Sequence, residues 1–227
     1  MSAIAAGVSG AGAARFYDST IGKKVVMAVS GIALFGFVIA HLLGNLQFFE
    51  GPEKMNAYGR FLRIEPALLW AARLGLLAMV LAHIWSSIQL ALRKQQARPV
   101  GYVKKKAIAS SYASRTMYWS GPIIAVFVIY HLLDFTFGTL NPGYREGAVY
   151  ENIVRSFSHP IVGIFYIVAM AMLCTHLWHG LWSVFQTLGL ASPTHTPAIK
   201  RLAGIISILI FLGFSSIPLA VLTGLKR

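Results

Sequence analysis

The sequence predicts an all-α fold, an integral membrane bundle of five transmembrane helices with its N-terminus on the inner side. Three observations lead there. Hydrophobic residues make up 56% of the 227 residues and charged residues only 12%, about half the charged share of an ordinary soluble domain. Five apolar stretches are long enough to cross a bilayer core, which takes roughly 20 helical residues. Basic residues also collect on one side of the loops that join these stretches.

Taken in order, the first 22 residues are small and polar rather than apolar, so no cleavable signal peptide is expected. The first span is placed at about residues 25–49. Residues 50–66 form a connection with Gly51, Pro52 and several charges. The second span covers about 67–92 and ends in a strongly basic loop, "RKQQARPVGYVKKKAIASSYASR". The third covers about 117–140, and the loop after it opens with the turn signal "NPGYREG". The fourth covers about 160–189. Residues 190–201 contain Pro193 and Pro197, and the fifth span runs over about 202–225. No convincing internal repeat and no second domain stand out, so residues 1–227 read as one domain.

The loops then sort by charge. On one side lie Arg15, Lys23, Lys24, Arg93, Lys94, Arg98, Lys104, Lys105, Lys106, Arg115, Lys200 and Arg201, twelve in all. The other side has seven: Lys54, Arg60, Arg63, Arg145, Arg155, Lys226 and Arg227. The positive-inside rule places the twelve, and the N-terminus, inside. The acids sharpen the contrast, with Asp18 inside against Glu50, Glu53, Glu65, Glu146 and Glu151 outside. The net charge of +13 is therefore read as membrane topology and not as nucleic-acid binding. A cationic inner face suits anionic lipid headgroups or a soluble docking partner. The lone Cys174 excludes disulfides and a cysteine-built metal site within one chain, and the C-x-x-C-H haem attachment is absent.

Four of the five spans carry histidine in their apolar run: His41, His83, His131, and the pair His176 and His179. His159 and His195 fall at helix ends or in loops. Imidazole in hydrocarbon marks a bundle interior or a cavity. Depth sorts these histidines. His41 is 16 residues from Val25 and His131 is 14 from Met117, both on outward-running helices and both in the outer half. His83 is 16 residues from Ala67 and His176 is 16 from Pro160, both on inward-running helices and in the inner half. Two helices thus supply one histidine each at each of two heights, as a bis-histidine haem requires. Zinc would want three or four ligands close together. A proton relay would want carboxylates, and Asp134 is the one carboxylate well inside a span. His176 and His179 are three residues apart, about 60° around one helix, so at most one of them ligates. Gly180 beside His176, and Gly44 and Gly36 near His41, leave room for a flat group or for helix packing.

At these residues the chain resembles the single-polypeptide, dihaem cytochrome b membrane anchors of succinate dehydrogenase and fumarate reductase. The matching stretches are "GKKVVMAVSG", "HLLGN" from His41, "AHIW" around His83, "VIYHLLD" around His131, and "THLWHGLWSVFQTLG". The resemblance implies two haem b groups ligated by His41, His83, His131 and His176. The fourth-helix ligand lies in an H-x-x-x-G pattern that maps onto His176 and Gly180, leaving His179 as a packing residue. It implies a flavoprotein subunit and an iron–sulfur subunit as partners, the iron–sulfur subunit on the basic inner face. It further implies quinone (menaquinone or ubiquinone), the inner (cytoplasmic) membrane, and a possible oligomer of the whole complex. The chain would do no succinate chemistry itself, and the direction of electron flow stays open.

Two other classes remain open: a cytochrome b anchor for a hydrogenase or formate dehydrogenase, and a haem-free transporter with a histidine relay. Arg73, about 9 Å below the outer start of the second span, is a guanidinium that needs a partner or a route to the interface. An outer haem propionate is favoured over Asp134 for it. Ser30 and Trp119 are candidates for the inner propionates. For quinone, Arg63 and Glu65 at the outer mouth of the second span are placed ahead of inner donors such as Ser183 and Gln186.

Overall fold

The computed structural model describes residues 15–97 and 112–226, with side chains for all of these except 112–114. Among the described residues, after a helical stretch at 15–18, seven α-helices of nine or more residues follow in order: α1 (Thr20–Leu46), α2 (Pro52–Phe61), α3 (Pro66–Gln96), α4 (Tyr112–Phe135), α5 (Val149–Phe157), α6 (Pro160–Thr187) and α7 (Thr196–Leu222). A 3₁₀ turn, Gln47–Glu50, extends α1. The described residues contain no strand. The helices α1, α3, α4, α6 and α7 are long and apolar enough to cross a membrane. Their outward faces are apolar as well: Leu68, Trp70, Leu74, Leu77 and Leu81 on α3 are 54–71% exposed. Such a surface would be a liability in water and is matched by lipid tails.

Local chemistry sets the helix limits. Ser19 caps α1, its Oγ accepting from the Gly22 amide at 2.8 Å. Gly51, at φ 102°, stops the 3₁₀ turn in a backbone conformation that favours glycine, and Pro52 starts α2. Proline also opens α3 and α6. The third span is shorter than the sequence suggested, ending at Phe135 and not near residue 140. There the amides of Thr136 and Phe137 both bond the Leu132 carbonyl at 2.9 Å, and Gly138 turns the chain at φ 71°. The fifth begins earlier, at Thr196, because Pro197 sits in a first turn where its missing N–H costs nothing.

The short helices α2 and α5 lie in what the sequence reading treated as loops. Each has an apolar stripe, Met55 on α2 and Tyr150, Ile153 and Phe157 on α5, and these residues are buried. Asn56 joins the two helices. Its Oδ1 accepts from the Tyr150 amide at 2.9 Å and its Nδ2 donates to the Glu151 carboxylate at 3.0 Å. That bond serves an amide in the first turn of α5, where Ala148 offers no capping side chain. The two helices close the end of the bundle opposite the N-terminus, called the far end below. Phe48 stacks on Tyr150 there, ring centres 4.8 Å apart, within an apolar core that also takes in Tyr166, Ile217 and Val221.

The long helices pack as α3 along α1, α4 along α6, and α6 along α7, whereas α1 with α4 and α3 with α6 make no comparably close backbone approach. The bundle is thus two helix pairs, α1/α3 and α4/α6, with α7 against α6 and α1. The pairs match in sequence. Residues 30–43, "SGIALFGFVIAHLL", and 120–133, "SGPIIAVFVIYHLL", are identical at eight of fourteen positions, offset by 90. "AMVLAHIW" on α3 and "AMLCTHLW" on α6 match around His83 and His176, offset by 93. The expectation of no internal repeat is therefore corrected. The differing offsets and the unlike connections concealed the duplication.

Candidate functional site

The histidines meet across the two halves. Near the far end, His41 on α1 and His131 on α4 have ring centres 5.8 Å apart. Nearer the N-terminal end, His83 on α3 and His176 on α6 have ring centres 6.3 Å apart. An imidazole nitrogen binds a first-row metal at about 2.0 Å and its ring centre lies ~1.1 Å behind, so two rings on opposite faces of one metal stand about 6.3 Å apart. Both pairs have that spacing or nearly so. Among the described residues no three of His, Cys, Asp and Glu cluster as a multi-ligand metal site.

Hydrogen bonds fix which ring nitrogen faces inward. Ser30 Oγ donates to the Val26 carbonyl at 2.7 Å, so towards His83 Nδ1, 3.3 Å away, it acts as an acceptor. The Met27 carbonyl, 3.1 Å from the same nitrogen, can only accept. His83 therefore carries its proton on Nδ1 and keeps a lone pair on Nε2. The second half repeats the arrangement with Ser120 Oγ 3.3 Å from His176 Nδ1. The glycine after Ser30 clears the approach, since a Cβ on Gly31 would stand a tight 3.3 Å from His83 Cε1; the glycine after Ser120 is under no such constraint, a Cβ on Gly121 meeting His176 Cε1 in ordinary contact at 4.0 Å.

At the far-end pair the halves differ. Tyr166 Oη donates to Asp134 Oδ2 at 2.8 Å, so it meets His131 Nδ1, at 3.5 Å, as an acceptor. His41 is held by rings, stacked on Phe37 at 5.2 Å and tilted against Phe214 at 5.9 Å. The order Phe-x-x-x-His recurs in the other half, with Phe127 5.9 Å from His131.

His179 turns away from both pairs. Its ring meets Trp182 edge-on at 5.5 Å, and its buried Nδ1 has no hydrogen-bond partner. Gly180 borders open space, as do Gly36 and Gly75. Gly44 does not: a Cβ there would come within 2.5 Å of Tyr58 Oη, so its bareness admits the capping helix α2. Ser30 is 2% exposed and engaged with His83. Trp119 is 74% exposed, and the adjacent Ser120, 1% exposed, is the residue that faces His176. Arg73 lies on the exposed side of α3 with its guanidinium 5.3 Å from the Trp70 ring. Asp134 is occupied by Tyr166 and Ser156. Arg63 and Ser183 are half-buried and Glu65 and Gln186 exposed; Arg63 and Glu65 lie at the far end of the bundle, Ser183 and Gln186 near its N-terminal end.

Sequence reasoning missed Ser120, Tyr166 and the Met27 carbonyl. The signal for the first was the recurring Ser-Gly dipeptide, its serine eleven residues before His41 and again eleven before His131. Of the expected basic surface, Lys24, Arg93, Lys94, Lys200 and Arg201 lie at the N-terminal end; Lys23 is there too but is buried, 3% exposed with its ammonium 4.0 Å over the Tyr17 ring, and Arg98 and Lys104 to Lys106 fall outside the described residues.

Comparison with known proteins supplies a family. The family model described as succinate dehydrogenase/fumarate reductase transmembrane subunit matches residues 93–215, more than half of the chain. The match spans His131 and His176 and leaves out His41 and His83. No curated protein and no solved structure matches. Five membrane-length helices and this match together place the chain, a multi-pass integral membrane protein, in the succinate dehydrogenase/fumarate reductase transmembrane-subunit family.

Proposed function

We propose that this subunit carries two b-type haems and passes electrons between an iron–sulfur subunit and membrane quinone. One observation supports this above the rest: two histidine pairs, each drawn from both halves of the chain, at the ring spacing a shared iron needs. His83 and His176 would hold the inner haem, and His41 and His131 the outer. Ser30, the Met27 carbonyl, Ser120 and Tyr166 occupy Nδ1 of three of these residues and so orient Nε2 for ligation. Haem supplies reversible one-electron exchange at iron, tuned by its axial ligands and their hydrogen bonds. Paired ligands suit an iron whose remaining positions are filled by a macrocycle, and suit zinc poorly.

The two levels are stacked along the bundle axis. Ser30, at the level of the inner pair, and His41, in the outer pair, are eleven residues apart on α1, about 16 Å along its axis. Arg73 stands 93 residues before Tyr166 and so occupies the equivalent place in the other half. That equivalence sets it near the height of the outer pair and supports a role in holding an outer propionate. Ser30 already bonds His83, so Trp119 and inner-end donors are left for the inner propionates. Glu65 and Arg63 would offer quinone a carboxylate and a donor at the outer mouth, with Ser183 and Gln186 as the inner alternative.

The soluble partners would be a flavoprotein and an iron–sulfur subunit, the latter on the basic N-terminal end. The site would be the inner membrane, N-terminus inside. The experiment is purification of the assembled complex. Co-purification of a flavin-bearing subunit and an iron–sulfur subunit with a reducible b-type spectrum agrees with the proposal. A nickel or molybdenum partner would assign the subunit to another dehydrogenase, and a complex without a reducible haem band would end the electron-transfer reading.

A further inference from the structure

The two halves agree at their inner ligands and part company at their outer ones. Each inner histidine rests its Nδ1 on a serine of the neighbouring helix. At the outer level the second half places Asp134 on α4 and Tyr166 on α6 where the first half has Gly44 and Arg73. Asp134 is 1% exposed. A carboxyl buried in a membrane span is costly and calls for a use.

Its surroundings point to one. Asp134 Oδ2 accepts two hydroxyls at 2.8 Å each, Ser156 Oγ from the capping helix α5 and Tyr166 Oη from α6. The Tyr166 proton is thereby committed to Asp134. The hydroxyl oxygen, 3.5 Å from His131 Nδ1, is left to accept the imidazole proton. The order is His131 Nδ1–H to Tyr166 Oη–H to the Asp134 carboxyl. Each bond in such a chain polarises the next, most strongly where water is absent. His41, wedged between Phe37 and Phe214, has no counterpart of this chain among the described residues.

We propose that Tyr166 and Asp134 are positioning residues for the outer haem: they fix the His131 ring with Nε2 inward and make it a stronger electron donor than a serine-bonded imidazole. A more basic axial ligand favours ferric iron, so the outer haem is held at a lower potential than it would have without them. The proposal rests on the dihaem reading above.

The test uses the whole purified complex with Tyr166→Phe, Asp134→Asn and Ser156→Ala. Optical redox titration gives the potential of each haem, and low-temperature EPR reports the orientation of the axial imidazoles. The outer haem is identified as the one lost in His41→Ala. Tyr166→Phe is expected to raise the outer potential and shift the outer EPR signal, with the inner haem unchanged. Asp134→Asn, nearly the same shape, should shift it in the same direction. Ser156→Ala leaves the Tyr166–Asp134 bond in place and should shift it least. A purely structural role would lower haem occupancy or stability without moving the potential of the haem that remains. Two haems with wild-type potentials in both Tyr166→Phe and Asp134→Asn would overturn the proposal while leaving the dihaem reading standing. A wild-type complex with no haem would overturn both.

Discussion

Ser120→Ala is a small change with a calculable consequence. Ser120 is 1% exposed and its Oγ lies 3.3 Å from His176 Nδ1. If His176 ligates haem through Nε2, as proposed, its Nδ1 carries the proton, and removing the hydroxyl leaves that N–H in a dry site without its acceptor. An unsatisfied buried donor costs about 1–3 kcal/mol, which is roughly 5- to 150-fold in an equilibrium constant. Loss of a hydrogen bond behind a metal ligand typically weakens binding by about 10–100-fold, within the same range. Ser30→Ala is the internal comparison. His83 Nδ1 would still have the Met27 carbonyl at 3.1 Å, so the expected loss is about 0.5–1 kcal/mol, or a few-fold. The assay is transfer of haem from the detergent-purified complex to excess apomyoglobin, with the two haems followed separately by their α-bands. Ser120→Ala should release the inner haem at least several times more readily than Ser30→Ala, and the outer haem should be unaffected in both. Equal release in the two variants, or release of the outer haem, would refute the assignment of these serines.

Other outcomes follow from the same geometry. His179→Ala should keep two haems per chain by haemochrome assay, since its ring faces Trp182 and not His83; loss of a haem there, with His176→Ala keeping two, would reverse the choice of ligand. Charge reversal of Lys104, Lys105 and Lys106 together with Lys24, Lys200 and Arg201, leaving the buried Lys23 in place, should loosen the soluble subunits in detergent, as measured by gel filtration, if electrostatic complementarity guides docking; undiminished retention would assign the cluster to lipid headgroups. Glu65→Gln should lower quinone-coupled turnover while both haems, and succinate oxidation with an artificial acceptor, persist; full quinone activity would move the quinone site elsewhere.

The sequence carried the heights of the histidines because an α-helix rises a fixed distance per residue. Counting from each helix end put His41 level with His131 and His83 level with His176, and the structure brings those residues together. The supporting bonds were not legible. A serine in an apolar helix ordinarily bonds its own backbone, as Ser30 does to Val26, and nothing on one helix says which histidine of another will lie across from it. Trp119 and Ser120 show how fine the distinction is: one residue turns a side chain by about 100°, enough to exchange an exposed indole for a hydroxyl facing His176. The helices α2 and α5 were hidden by their glycine, proline and charge, since a single apolar stripe over nine or ten residues resembles a loop until its burial is seen. Tyr166 gave no sign in sequence, because its partner Asp134 lies 32 residues away on another helix.

The central claim is that each haem is shared between one histidine of each half, and haem counting in paired variants tests it most directly. The wild-type complex should hold two haems per copy of this chain. His41→Ala, His131→Ala, and the two together should each hold one and the same haem, and likewise His83→Ala, His176→Ala and their combination. His41→Ala with His176→Ala should hold none. A double variant within one pair that loses both haems, or a cross-pair variant that keeps one, would contradict the pairing.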